Sequence, residues 1–153
     1  MNIKIEQTKD FRALARLNES VQNWHHDNYP QEFKPYDRIE VEKALEEFTQ
    51  AESFFGFIAK TENRPIGYLI GYVKSRSASA FQFKKEVLYV DQIAVIPAHQ
   101  KSGVGQLLMD EAFQLAKEKK VDEVQLDYWS GNQVAEHFFL KNGFSCFNHR
   151  MKK

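Results

Sequence analysis

The residues with the most chemistry per unit length are Gln100-Lys101-Ser102-Gly103-Val104-Gly105. They read Gln-x-x-Gly-x-Gly and join a β-type segment ending at Val95 to a helical pattern that begins at Val104. Glycines at such a junction let the backbone turn tightly and aim several N–H groups at one point. The positive end of the following helix adds to those donors, so the loop is suited to hold an anion such as a phosphate. Lys101 contributes a mobile positive charge. The loop is not a Walker motif, because no Gly-Lys-Ser/Thr follows, and not a dinucleotide fingerprint, which needs Gly-x-Gly-x-x-Gly. A lone Gly-x-Gly would be read as a simple helix cap; the full pattern in this setting is more specific.

A second candidate site is the stretch Trp24-His25-His26-Asp27-Asn28-Tyr29-Pro30-Gln31-Glu32-Phe33. Aromatics and adjacent histidines are unusual in a plain connector, and exposed loop aromatics often line a binding site. Trp24, His26, Tyr29 and Phe33 are therefore candidate substrate-binding residues. Packing of the same rings over the end of a sheet is the alternative, and both can hold. His25-His26 has no Cys or His partner at ligand spacing, so no metal is expected. His137 and Cys146 are read as packing or surface residues.

The elements that must position these groups follow from periodicity. Ile3 and Ile5 alternate with polar neighbours as a first strand. Thr8 or Asp10 can cap the next helix, on which Phe11, Leu14, Leu17, Val21 and Trp24 recur at helical spacing, and which should end before Pro30. A second helix is expected from about Asp37 to Phe48. Phe54 to Lys60 and Ile66 to Val73 form an antiparallel hairpin, and Glu86 to Val95 is a third long strand. Val104, Leu107, Leu108, Ala112, Leu115 and Ala116 mark an amphipathic helix. Val121 to Tyr128 alternates as a strand. A short helix from about Gln133 to Lys141 ends at Asn142-Gly143, and a last strand is expected from Phe144. The order β-α-α-β-β-β-α-β-α-β predicts an α/β fold of the α+β type. Its single mixed, mostly antiparallel twisted sheet carries helices on both faces.

At 153 residues the chain fits one domain, 1–153. Lys+Arg and Asp+Glu balance at 21 each, against a broad nucleic-acid or membrane-surface role. With 13 phenylalanines the chain can bury a large core. Cys146 is the only cysteine, which suits a reducing compartment. No apolar run approaches a membrane span, and Met1-Asn2-Ile3-Lys4-Ile5-Glu6 lacks a secretory core, so a cytoplasmic location is expected.

Three features together resemble the GCN5-related N-acetyltransferase (GNAT) superfamily, over roughly residues 86–144. The first is Gln100 to Gly105, similar to the family's pyrophosphate loop. The second is the strand Asp91-Gln92-Ile93-Ala94-Val95 followed by Ile96-Pro97. The third is Leu126-Asp127-Tyr128-Trp129-Ser130-Gly131-Asn132-Gln133-Val134-Ala135, with Phe138-Phe139 and Gly143-Phe144. The resemblance implies that acetyl-CoA lies where the strand ending at Val95 splays from the strand ending at Tyr128. Its pantetheine amides would pair with the main chain of Ile93 and Val95, and its pyrophosphate with Gln100, Lys101, Ser102, Gly103, Val104 and Gly105. The Asn132 side chain would bond the pantetheine arm; the same residue can also be a helix N-cap.

The implied reaction moves an acetyl group from acetyl-CoA to a primary amine of a small molecule or peptide, by direct attack in a ternary complex. The amine must first lose a proton, and the carbonyl oxygen needs a donor, here the N–H of Val95 or Ile93. Family members often place a tyrosine acid within Ala-x-x-Phe-Tyr. This sequence reads Ala135-Glu136-His137-Phe138-Phe139, so Phe139 stands at the tyrosine position beside the cofactor and cannot donate a proton. Tyr128 is a substitute donor, with a half-buried strand tyrosine as the alternative. Asp91 is the candidate base; without a bulge its side chain shares a face with Ile93 and Val95. A solvated or salt-bridged strand aspartate is the other reading, and Glu86 and Tyr89 are weaker candidates. A non-catalytic acetyl-CoA-binding regulatory module and a plain interaction domain remain alternative functions. No nucleic-acid or membrane partner is expected, and homodimerisation is left open.

Overall fold

A computed structural model describes all of residues 1–153. Five strands and four helices follow in the order β1 (Ile3–Gln7), α1 (Phe11–Asn28), α2 (Arg38–Thr49), β2 (Phe54–Thr61), β3 (Arg64–Arg76), β4 (Lys85–Val95), α3 (Val104–Glu118), β5 (Val124–Leu126) and α4 (Gln133–Lys141), with a 3₁₀ turn at Pro97–His99. The sheet order is β1-β2-β3-β4-β5. The first three pairings are antiparallel and β4–β5 is parallel, so the sheet is mixed, as expected.

Alternation along the strands divides the apolar residues between two layers. Phe55, Phe57, Leu69, Leu88 and Val90 pack with Leu108, Met109 and Ala112 of α3 and Phe139 of α4. Phe54, Ile58, Tyr68 and Ile70 pack on the opposite face with Leu14 and Leu17 of α1 and Leu45 of α2. Each fully buried Leu contributes about 1.5–3 kcal/mol by leaving water, so both helix pairs are held against the sheet by their apolar stripes.

Local chemistry explains the boundaries. Asp10 rather than Thr8 caps α1: its carboxylate accepts from the Ala13 N–H at 3.0 Å, while the Thr8 hydroxyl accepts from the Asp10 N–H at 3.0 Å. The helix runs on to Asn28, so Trp24 to Asn28 form its last turn and only Tyr29 onward is loop. The Asp37 carboxylate caps α2 by accepting from the Glu40 N–H at 3.1 Å.

Two differences from the sequence reading stand out at the C-terminal end. The strand expected over Val121 to Tyr128 is only three residues long, and none forms after Phe144. Phe144 turns into the core at once, with its ring 5.8 Å from Phe139 and 5.9 Å from Phe113. The residues beyond it are exposed and carry no alternating apolar face, so nothing fixes a strand register there.

Candidate functional site

The site starts from a break in pairing. The strands β4 and β5 are bonded only through Leu88↔Val124, Tyr89↔Gln125 and Val90↔Leu126. Beyond Val90 the edge of β4 has no strand beside it. On its other edge, Leu69↔Ile93, Tyr68↔Ala94 and Gly67↔Val95 pair with β3, and the Ile96 N–H donates to Ile66 at 2.9 Å. Antiparallel residues alternate between pointing their N–H and C=O at the partner and away from it. The bond at Ile96 therefore sets Ile93 and Val95 to point theirs into the gap. The Gln100 side-chain amide donates to the Val95 carbonyl at 3.0 Å. The remaining groups of Ile93 and Val95 are a ready ladder edge, and buried main-chain groups need such partners.

At the mouth of this gap the loop turns into α3. The Ser102 hydroxyl donates to the His99 carbonyl, and Lys101 and Gly103 take left-handed backbone angles, φ +59° and +86°. Gly103 is the N-cap residue and offers no side chain to the helix. A Cβ built on it would meet nothing within 4 Å. The first helical carbonyl bond runs from the Leu107 N–H to Gly103 at 3.1 Å, so the N–H groups of Val104, Gly105 and Gln106 are the free first turn. They carry the positive end of the helix dipole.

The opposite side of the gap carries an acidic cluster. The pairing of β3 with β4 shifts between Ile70 and Gly71, so that Gly71 faces Val90 and Ile70 faces Gln92. Asp91 is the extra residue, a β-bulge. A Cβ on Gly71 would lie 2.0 Å from the Tyr89 carbonyl oxygen, so the bulge needs glycine opposite it. The bulge corrects the expected orientation of Asp91. It moves that carboxylate off the face of Ile93 and Val95, which belong to the α3 layer, and onto the face of Tyr68 and Tyr89.

There the Tyr89 hydroxyl donates to Asp127, just beyond β5. Desolvation is the main reason the Asp91 carboxyl sits above its ordinary pKa; a hydrogen bond from Gln92 pulls it down and the charge of Asp127 pushes it up. Desolvation also raises the Tyr89 phenol, helped by Asp127 and Asp91.

Aromatic side chains wall the same end. The Trp129 ring lies 4.6 Å from Tyr29 and 5.2 Å from Phe33, and Trp24 is 6.3 Å from Tyr29. The Tyr29 hydroxyl accepts from the Gly131 N–H at 3.2 Å, tying the loop after α1 to the segment before α4. His26 donates through Nδ1 to the Phe33 carbonyl at 2.7 Å, which folds that loop on itself and leaves Nε2 as the second ring nitrogen.

The sequence profile of the acetyltransferase (GNAT) family matches residues 18–144. The chain belongs to that family. Solved structures agree on the fold. A tetramutant of the BH1408 protein from Bacillus halodurans has a TM-score of 0.90 at 19% identity, covering 100% of this chain and 99% of the other. An aminoglycoside N-acetyltransferase, AAC(6')-Iy in complex with CoA, has a TM-score of 0.76 at 18% identity, covering 99% and 93%. An aminoglycoside acetyltransferase from an uncultured soil metagenomic sample, in complex with sisomicin, has a TM-score of 0.65 at 22% identity, covering 98% and 97%.

Within this GNAT fold the other expected site residues separate. Asn132 caps α4, its side-chain oxygen accepting from the Ala135 N–H at 3.1 Å, which leaves the amide nitrogen for a further partner. Tyr128 and Phe139 lie together on the α3 layer, their rings 5.9 Å apart. Desolvation, then Glu136, raises the Tyr128 phenol. Because neighbouring Asp127 reaches Tyr89 on the other face, Tyr128 and Asp91 are not brought together. Phe139 is 6% exposed and also packs on Phe138 and Phe144, as a core residue does. Asp127 and Trp129 are the groups that the sequence reading left out of the site. Their signal was position: they are the first and third residues after Leu126, the last paired residue of β5.

Proposed function

We propose that this GNAT chain transfers the acetyl group of acetyl-CoA to a primary amine of a small molecule or peptide, by direct attack in a ternary complex. The observation that carries the reading is the unpaired edge of Ile93 and Val95 running toward the uncapped N-terminus of α3. An extended chain bearing amides and ending in a pyrophosphate fits those two surfaces in that order. Bound acetyl-CoA supplies an activated thioester. The first-turn N–H groups and Lys101 hold the phosphates, and Asn132 bonds the pantetheine arm. The N–H of Ile93 or Val95 donates to the thioester oxygen as negative charge grows there. Asp91 takes one proton of the acceptor ammonium, through water, into a carboxylate whose raised pKa suits that task. The freed amine attacks the thioester carbon, the C–S bond breaks, and the departing CoA thiolate takes up the proton left on nitrogen.

Trp24, His26, Tyr29 and Phe33, with Trp129, wall the acceptor side, where aromatic faces and the carboxylates of Asp91 and Asp127 favour a cation. The aminoglycoside ligand of a structural relative is in keeping with a small amine-bearing acceptor. No helix is long and apolar enough to cross a membrane, and the free thiol of Cys146 is in keeping with a cytoplasmic location. A non-catalytic acetyl-CoA-binding module is the second reading. It rests on Phe139, which puts a core ring where many GNAT members have a tyrosine. A panel of primary amines with acetyl-CoA and a thiol-release assay separates the two: acceptor-dependent thiol release is expected, and binding without release for every acceptor would favour the module.

The cradle has its own test. Gly103→Val puts a β-branched residue at φ +86°, a strain of about 1–3 kcal/mol that the loop relieves by turning its N–H groups away. Each charge-assisted bond lost costs about 1.5–3 kcal/mol. Calorimetry on the folded variant should give CoA affinity lowered at least about tenfold. Unchanged affinity would remove the loop from the site.

A further inference from the structure

Beneath the bulge lies a buried polar triad that none of the chemistry above uses. Tyr68 is fully buried and Asn18 is 5% exposed. The Tyr68 hydroxyl donates to Gln92 Oε1 at 2.7 Å and accepts from Asn18 Nδ2 at 3.1 Å, while Asn18 Nδ2 also reaches Gln92 Oε1 at 3.3 Å. The three residues come from α1, β3 and β4, and every buried side-chain polar atom there has a partner.

Such a network in an otherwise apolar layer needs a reason, because apolar residues of the same shape would pack there without desolvation cost. Its position supplies one. Gln92 is the residue next to the bulge, and both hydrogen bonds from the triad fall on its oxygen. That fixes which way the side-chain amide is turned: the oxygen faces inward, toward Tyr68 and Asn18, which leaves the –NH₂ as the free end of the amide next to Asp91 in the chain, whose carboxyl Gln92 pulls down.

We propose that Asn18, Tyr68 and Gln92 are positioning residues that lock the β4 bulge and turn the Gln92 amide nitrogen toward Asp91. The inference rests on the role given to Asp91 above. The titratable groups around Asp91 are Tyr68 from β3, Tyr89 from β4 and Asp127 beyond β5, while α1 contributes the neutral Asn18. Gln92 is the one donor that opposes desolvation and the charge of Asp127. Releasing it destabilises the carboxylate, so the Asp91 midpoint must move upward.

Tyr68→Phe removes one oxygen and keeps the ring; Gln92→Met removes the amide at similar volume. The first readout is a carboxyl-carbon NMR titration of Asp91 in the free protein. Both variants should raise its midpoint. The second is kinetic: Tyr68→Phe should lower kcat by about tenfold, move the acid limb of kcat to higher pH, and leave the KM for acetyl-CoA within about twofold. Combined with Asp91→Asn, the Tyr68→Phe change should add no further loss, since the two act through one group. An unchanged Asp91 midpoint in both folded variants would overturn the network. A raised midpoint together with full activity of Asp91→Asn would instead leave the network standing and remove Asp91 as the base.

Discussion

Asp91→Asn is expected to lower turnover by about 10²–10⁴ while acetyl-CoA binds as in the parent. The substitution keeps the shape of the side chain at the bulge and removes its capacity to take a proton. The proposed cofactor surfaces are the main-chain edge of Ile93 and Val95 and the first turn of α3, neither of which involves this side chain. The pH dependence carries the sign. A base of this kind works as a carboxylate, so the rate should fall as pH drops through its pKa. Desolvation, with Gln92 opposing it and Asp127 adding to it, holds that pKa above the ordinary aspartate value, so the parent's acid limb should lie at higher pH than an ordinary aspartate would give. The Asn variant should lack this limb. Stopped assays of kcat against pH, with calorimetry of acetyl-CoA binding, check both parts. Normal turnover in the variant would make Asp91 structural and turn attention to Tyr89 with Asp127.

The largest expected effect on stability is at Phe139. Its ring is 6% exposed and touches Tyr128, Phe138 and Phe144 in the layer beneath α3. Phe139→Ala should cost about 3–5 kcal/mol, because the transfer energy of the ring is lost and a cavity remains. Phe139→Tyr keeps the ring and adds a hydroxyl, whose burial without a partner costs about 1–3 kcal/mol. The Tyr variant should therefore be the milder by denaturant titration. If residue 139 borders the thioester end of the gap, acetyl-CoA should recover part of the loss in the Tyr variant, and turnover should be at least that of the parent. Equal destabilisation by Ala and Tyr, with no recovery on adding acetyl-CoA, would place the ring wholly in the core and away from the cofactor.

Much of this arrangement was legible in the chain because it depends on period and punctuation. The switch from alternation before Val95 to helical spacing after Val104 located the strand-to-helix junction, and Gly103 proved to need its left-handed angle there. Asn132 could be read as a helix cap for a similar reason, since capping is set within a few residues of sequence. What escaped depends on contacts distant in sequence. The bulge at Asp91 is set by Gly71 on the neighbouring strand, so strict alternation put the carboxylate on the wrong face. Asp127 gains its meaning from Tyr89, and Trp129 from Tyr29 and Phe33, each through a contact that only the folded sheet creates. The expected strand after Phe144 failed because β-formers at the end of a chain have no register unless a buried face selects one.

Passage of an acetyl group from acetyl-CoA, seated in the gap beside Ile93 and Val95, to an amine is tested most directly by following carbon-labelled acetyl-CoA with the purified protein and a panel of small primary amines, with product mass and free thiol measured together. The expected result is an acetylated amine formed in equal amount to the thiol released, dependent on the protein and abolished by a cradle variant that no longer binds CoA. Thiol release with no acetylated amine, or no binding of acetyl-CoA to the folded parent, would contradict it.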